Sequence, residues 1–485
     1  MLQKEQQNTT NFFSSLYDIL ITKDNLLRKI NELLDFQFIY DELKNKYSED
    51  KGRTAYDPIM MFKYLMLKVI YELSDVDVVE RSFTDMSFKY FLGLAPDAGV
   101  IEPSSLTRFR KQRIQDMDLL DLLIAKTIGI AMEHGLIKTR TVIVDATHTG
   151  ARCNPMLPIE ILRKYSDKLR QSIYDASSVS HSVLPAKNKT DNIDDEIAYT
   201  HKLLDKVNKI PLLRELPGVQ QKVNLLQEKL EDVEELGCSS IDPDAKTGYK
   251  SVDKKFHGYK THIAMTPERL IVAATITSGE VFDGKELPGL VDKCNEVGVQ
   301  VDTVVADAAY SGRSNLEMAE ERDIKMVAKL NPTISNALTD KRVPPRDRKF
   351  VYNKDADRYE CPAGHLSSAA YIRRMPSGTD LYTYRFHVTD CRSCPRRRRC
   401  LKDKQRIRRI SVSVQSQLHK QQMAFQQSEE FRQLSKQRYK IEAKNAELKN
   451  NLGYRRAISY GLASMKLQGA VTIFVANIKR ILKIQ

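Results

Sequence analysis

The period of the hydrophobic pattern changes near residue 140. Upstream, apolar residues recur at spacings of three and four. The run "YDPIMMFKYLMLKVIYEL" predicts a helix with Asp57 as its cap and Pro58 at its first position. A second helix is expected to start near Ser74, and a third after "EPSS", carrying "LTRFRKQR". From Thr141 the runs become short and β-branched: "TVIVDA", "YKTHIAM", "LIVAATIT", "VDTVVADA" and "IKMVAKL" predict strands, with helical patterns between several of them. Two segments interrupt this mixed α/β region. The first contains "GVQQKVNLLQEKLEDVEELG", where Val219, Val223, Leu226, Leu230, Val233 and Leu236 form the stripe of an amphipathic or coiled-coil helix, either core or an oligomer seam. The second runs from about Asn331 to Arg409. The expected division is a helical N-terminal domain over 1–135, an α/β domain over 139–330 and 410–485, a helical insertion over 155–240, and a cysteine-rich basic insertion over 331–409.

Composition adds a partner and a compartment. The 77 Lys+Arg against 63 Asp+Glu leave a net charge of +14, which favours a polyanionic partner, nucleic acid first. The third N-terminal helix is basic, with Arg108, Arg110, Lys111 and Arg113 within six residues; it suits the reading helix of a helix-turn-helix DNA binder, or an ordinary solvated face. The start "MLQKEQQNTT" lacks the layout of a signal peptide, and a cytoplasmic protein is expected. The late run "GAVTIFVANIKRIL" breaks at Asn477, Lys479 and Arg480, short of the roughly 20 apolar residues of a membrane span, and reads as a buried helix with no membrane partner.

Candidate chemistry begins with Asp145, read as a carboxylate at the exit of the "TVIVDA" strand. Asp307 in "VDTVVADAAYSG" repeats the arrangement. The carboxyl ends of strands are where α/β sheets gather ligands, so two neighbouring strands could bring these acids together. Alone, each reads as a helix cap. Far downstream, Arg438, Glu442, Asn445 and Lys449 follow one another at spacings of four, three and four, which puts them on one helix face. Such a face is ordinarily solvated surface.

The two strand-end aspartates and the helical Arg-x-x-x-Glu-x-x-x-x-x-x-Lys resemble the DDE transposases of bacterial insertion sequences. Arg438, Glu442 and Lys449 match that family's pattern around its glutamate; the Tyr usual three residues before the Arg is replaced here by Ser435. "GRTAYDPIMMFKYLMLKVIYELSDVDVVERS" and "SSLTRFR" look like the family's helical N-terminal domain, and "HGYKTHIAM" like the strand after the first catalytic Asp. The similarity runs from about Gly52 to about Gly461. It implies a ribonuclease-H-like mixed sheet with flanking helices, in which Asp145, Asp307 and Glu442 are catalytic and hold two Mg²⁺ ions, with Mn²⁺ as a substitute. The cluster suits the chemistry on independent grounds. Phosphodiester transfer needs an activated attacking oxygen and a neutralised leaving oxygen, which two hard cations on a few carboxylates provide.

Neighbouring residues give further expectations. Thr147 and His148 follow Asp145 closely enough to touch DNA or a metal-bound water, though a local hydrogen bond is the plainer role for the His. Lys260 and His262 alternate onto one strand face, with Lys260 placed to meet phosphate. Arg438 and Lys449 are placed to grip phosphates beside the metals. Cys361, Cys391, Cys394 and Cys400 can form a tetrahedral zinc site with His365 as substitute ligand, or remain reduced and half-buried. Ten Lys or Arg against one acid between Arg392 and Arg409, including Arg396, Arg397, Arg398 and Arg399, would contact phosphate or form a solvated run. The expected function is a transposase that binds terminal inverted repeats, cleaves them and joins them to target DNA as a homo-oligomer. A catalytically inactive DNA-binding regulator and a non-transposing nuclease are the competing readings.

Overall fold

The computed structural model describes residues 13–48, 54–114, 117–152, 158–176, 183–236, 242–251, 254–330, 350–353, 358–374, 380–401, 405–413 and 417–485. Eight helices come first: α1 (Ser14–Leu20), α2 (Leu26–Leu33), α3 (Gln37–Leu43), α4 (Pro58–Tyr71), α5 (Asp75–Thr84), α6 (Met86–Leu92), α7 (Pro103–Phe109) and α8 (Leu119–Glu133). The Asp57 cap read from the sequence is present, and the helix expected near Ser74 begins there with a cap of its own. The Asp57 side chain accepts from the N–H groups of Ile59 and Met60 ahead of α4, and Ser74 and Asp77 close a reciprocal capping box on α5. The basic third helix begins earlier than expected, at Pro103, because this proline supplies a first-turn residue with no N–H to satisfy.

The central sheet contains β1 (Thr141–Gly150), then, after the helical insertion α9 (Pro158–Ala176), α10 (Ile193–Asn208), α11 (Pro211–Arg214) and α12 (Pro217–Leu236), the strands β2 (Lys246–Ser251), β3 (Lys254–Met265) and β4 (Ile271–Ser278). Helix α13 (Leu287–Glu296), β5 (Thr303–Val305), α14 (Arg313–Glu321) and β6 (Lys325–Val327) complete it. The order is β2-β3-β1-β5-β6, with β4 also on β3; β1 pairs antiparallel with β3 but parallel with β5, and β5 parallel with β6. β1 extends well beyond "TVIVDA", because β3 pairs with it as far as Gly150 opposite Gly258. Gly258 has φ +154 and leaves no room for a Cβ against the Thr149 carbonyl, so glycine permits this close approach. Conversely, "VDTVVADA" yields only a three-residue strand.

The stripe of α12 is core. Val219, Val223, Leu226, Leu230 and Val233 are buried with Leu162, Leu169 and Ile173 of α9 and Leu203 and Val207 of α10, in a cluster separate from the main one. The seam therefore closes within the chain.

Beyond the sheet lie β7 (Val351–Asn353), β8 (Arg358–Glu360), β9 (Ala369–Arg374), β10 (Asp380–Arg385), α15 (Val388–Arg392), α16 (Arg397–Cys400) and β11 (Arg409–Ser413). They are followed by α17 (Gln417–Phe425), α18 (Glu429–Ser435), α19 (Tyr439–Asn451) and α20 (Leu462–Ile484). Lys402 and Asp403 of the basic run lie outside the described residues. α20 is buried, as expected, and joins the N-terminal helices to the sheet: Phe474 meets Phe62 edge-on at 5.8 Å, and Asn477 bonds Thr127 of α8 and both backbone groups of Ile271 in β4. One buried cluster therefore runs from Leu27 to Ile481. No described helix is long and apolar enough to cross a membrane.

Candidate active site

Asp145 sits in the middle of β1, not at its exit, paired with Ile263 of β3. The sequence reading missed this because the antiparallel partner carries the strand past the acid. On the other edge the parallel ladder with β5 stops at Ile143–Val305. Continuing that register by two residues sets Asp307 beside Asp145 on the same face. Asp307 is fixed by its own turn, where its carboxylate accepts from the Ala309 N–H at 2.8 Å and caps the 3₁₀ turn Ala308–Tyr310. Both strand aspartates are thus brought together by rigid backbone.

Burial pushes the Asp145 carboxyl up to about 6; the Ala146 N–H opposes this, the charge of Asp307 adds to it, Arg438 opposes it and Asp283 adds to it. Several polar groups that interact with the two acids leave buried atoms without hydrogen-bond partners among the described residues: the Tyr310 hydroxyl, Oδ1 of Asn445 and Nε of Arg438, together with the hydroxyl of Thr147, two residues along β1 from Asp145. Unsatisfied groups collected around two acids fit a site that receives an ion and its waters.

α19 supplies the opposite wall. Its end is clamped to β1 through Gly150 N–H to Arg455 O (3.0 Å) and Ala457 N–H to Gly150 O (2.8 Å), and the Tyr454 hydroxyl bonds Thr261 of β3 at 2.8 Å. The face read from the sequence points at β1. Asn445 donates to Asp145 Oδ2 at 3.0 Å, and Lys449 Nζ lies 3.5 Å from His148 Nδ1. Glu442 lies 3.4 Å from Arg438, with its side chain 62% exposed. Among the described residues no three His, Cys, Asp or Glu side chains stand close enough to cage a metal, so the third acid faces the pair without joining it. Ser435, at the family's Tyr position, bonds only the Arg432 carbonyl.

Lys260 is half-buried and held by Asp283 Oδ1 and the Val281 carbonyl, both at 2.8 Å. Its expected phosphate contact therefore competes with an ion pair already made. His262 is buried, 3.8 Å from the same Asp283 oxygen, and burial lowers it to about 4, leaving it neutral at pH 7. Asp283 was not singled out in the sequence because an Asp-Gly pair in a loop reads as a turn. Tyr310, in the small-residue turn after Asp307, is raised by burial and then by Asp283, Asp145, Asp307 and Glu286, which places it among the acids.

The basic N-terminal helix divides into tied and exposed members. Arg110 grips Asp75 with both terminal nitrogens, alongside Lys68; burial alone would raise that carboxyl, but these hydrogen bonds outweigh it and bring it down to about 2. Arg113 bonds the Lys46 carbonyl and stacks on Tyr47. Lys111 is exposed, and Arg108 reaches only Ser104. In the basic run Arg397 bonds the Cys391 carbonyl and Arg408 the Cys400 carbonyl, while Arg396 and Arg398 are exposed; Arg399 lies in α16.

Cys361, Cys391 and Cys400 pack beside Phe350, Tyr359, Tyr384, Phe386 and Ile410. All four insertion cysteines are unbridged, and burial followed by the nearby sulfurs of Cys391, Cys394 and Cys361 raises the Cys400 thiol. A tight turn brings the His365 N–H to Cys361 Sγ at 3.4 Å, but the His365 ring lies 3.8 Å from Asp390. The thiols converge without closing to ligand distance.

Residues 15–112 match the family described as "Transposase domain (DUF772)", and residues 360–482 match "Transposase DDE domain". The second match spans the cysteine segment, the Glu442 helix and α20 but not the strands bearing Asp145 and Asp307. No curated protein matches the sequence. With both the N-terminal helices and the glutamate-bearing end matching transposase domains, the two matches support an insertion-sequence DDE transposase, and the second indicates an enzyme of the polynucleotidyl transferase type.

Proposed function

We propose that this transposase binds the terminal inverted repeats of its own element, cleaves there and transfers the freed strand to target DNA, using Asp145, Asp307 and Glu442 as ligands for two Mg²⁺ ions in a ribonuclease-H-like domain. The observation that carries the reading is that Asp145 on β1 and Asp307, two residues past the end of the parallel β5, lie close enough for their charges to act on one another, against a helix whose Asn445 bonds Asp145. The donor set is hard oxygen, as Mg²⁺ requires, and the chemistry such ions supply is activation of the attacking oxygen and neutralisation of the leaving one.

The chain's own groups prepare that site. Asn445 orients Asp145, the Ala309 N–H orients Asp307, and Lys449 and Arg438 stand where DNA phosphates approach. Glu442 joins the strand acids only when its pair with Arg438 opens, and a phosphate bound to Arg438 replaces the lost anion. DNA binding thereby completes the triad. The N-terminal helices serve as the specific DNA reader, with Arg108 and Lys111 as its exposed cations. The four insertion cysteines hold one structural zinc, and the complex is a homo-oligomer because two ends are handled together.

The test is cleavage of labelled duplex carrying the element ends with Mg²⁺, comparing wild type with Asp145→Ala, Asp307→Ala and Glu442→Ala. Nicking at the ends that every substitution abolishes while binding persists supports the reading. End binding by wild type without cleavage, under confirmed synapsis, would instead identify a DNA-binding regulator. For zinc, the expectation is one tightly held ion per chain by elemental analysis, lost in Cys391→Ser/Cys394→Ser; a metal-free preparation with the insertion folded overturns it.

A further inference from the structure

The three-stranded sheet of the cysteine insertion has two unlike faces. Its order is β11-β10-β9, with Thr383 opposite Tyr371 and Ser411, Arg385 opposite Ala369 and Arg409, and Leu381 opposite Arg373 and Ser413. Residues directly opposite share a face. Tyr384 and Ile410 therefore belong to the inner face, buried against Phe350, Tyr359 and Phe386. Arg373, Arg385 and Arg409 belong to the outer face with Tyr371 and are exposed. The Arg385 guanidinium carbon lies 4.3 Å from the Tyr371 ring centroid, a cation–π contact across the strands.

This face is electrostatically unfinished. Arg385 and Arg409 are direct cross-strand partners, and like charges so placed destabilise a sheet. Among the described residues of the face there is no Asp or Glu, and none of the three arginines has an ion-pair partner. The arrangement is relieved by an anion spread over all three strands. Arg385 and Arg409 stand one strand spacing apart, about 5 Å, and Arg373 lies four residues along β9 from the position opposite Arg385, about 13 Å away, so the three span an extended polyanion rather than a single small anion.

We propose that the outer face of β9-β10-β11 binds the phosphate backbone of duplex DNA through Arg373, Arg385 and Arg409, without regard to sequence. The proposal rests on the DNA-transposase reading above and adds a docking surface that is separate from the metal site and overlaps the basic run between Arg392 and Arg409 at Arg409 alone. Arg409 ends that run and is the point at which the two surfaces meet.

The test uses the full chain and two labelled duplexes, one with an element end and one unrelated, titrated over a range of salt. For Arg373→Gln/Arg385→Gln/Arg409→Gln, the slope of log affinity against log salt should fall by roughly 2.7, about 0.9 per phosphate contact, with equal weakening on both duplexes. The matching triple Lys variant should keep the wild-type slope. An unchanged slope in the Gln variant, or an equal loss in the Lys variant, overturns the proposal. Arginine-selective modification of the wild-type chain, read by mass spectrometry, avoids any folding defect: duplex should protect all three residues, and unprotected arginines also overturn the assignment. If wild type shows no salt-dependent DNA binding, the underlying transposase reading fails instead.

Discussion

Asp145 stands on a strand paired along both edges, half-buried beside a second acid whose carboxylate is pinned by its own turn; Glu442 stands on a helix face, its side chain 62% exposed and paired with Arg438 one turn earlier. The two halves of the site thus solve opposite problems. The strand half holds charge where water stabilises it less, so geometry is fixed and an electrostatic cost is carried. On the helix half, a solvated pair worth little can open at little cost. The strand acids are set by the backbone around them, whereas Glu442 is held by a weak, solvated pair.

The largest expected contrast is in stability. Gly258→Val forces a Cβ against the Thr149 carbonyl at a φ of +154 and should cost about 3 kcal/mol or more by denaturant unfolding. Glu442→Ala should leave stability within about 0.5 kcal/mol while abolishing cleavage. Comparable losses in both would dissolve the distinction between the halves.

Next comes the single bond that joins them. Asn445→Ala removes the donor to Asp145 Oδ2 and should cost about 1–2 kcal/mol at pH 8. The loss should shrink at pH 5, where Asp145 is largely protonated. A pH-independent loss would mean that the amide serves α19 rather than the acid.

A smaller effect isolates Asp145. Its folded pKa of about 6 exceeds the ordinary 3.8, so the folded state binds the proton more tightly. That contribution to stability is complete below about pH 3.8 and is lost as pH rises through about 6. In the metal-free chain, the advantage of Asp145→Asn over wild type in melting temperature should therefore grow between pH 4 and pH 7. A constant gap would show that burial does not strain this carboxyl. The smallest change is expected for Arg438→Ala, under about 1 kcal/mol in stability, with weakened DNA binding as the accompanying sign.

These contrasts also show what could be read in advance. The Asp57 cap, the helix start near Ser74, the stripe of α12 and the shared face of Arg438, Glu442, Asn445 and Lys449 were legible because each rests on local periodicity or capping chemistry. The mid-strand position of Asp145 was not, since strand length is set by a partner over a hundred residues away. Nor could the sequence show that Arg110 would clasp Asp75, or that Lys260 and His262 would meet at Asp283. Ion pairs between distant segments leave no spacing to read. Asp283 and Tyr310 were missed for the same reason.

Helix α20 carries a consequence for the order of events in the cell. Phe474 packs on Phe62, and Asn477 ties Thr127 to Ile271, so the N-terminal helices share their interior with residues 462–484. A nascent chain cannot finish that interior while those residues are still in the ribosome. The N-terminal helices should consequently stay protease-sensitive until synthesis passes α20, and a gene copy frameshifted before residue 462 should yield a product that is degraded rather than a stable truncated protein.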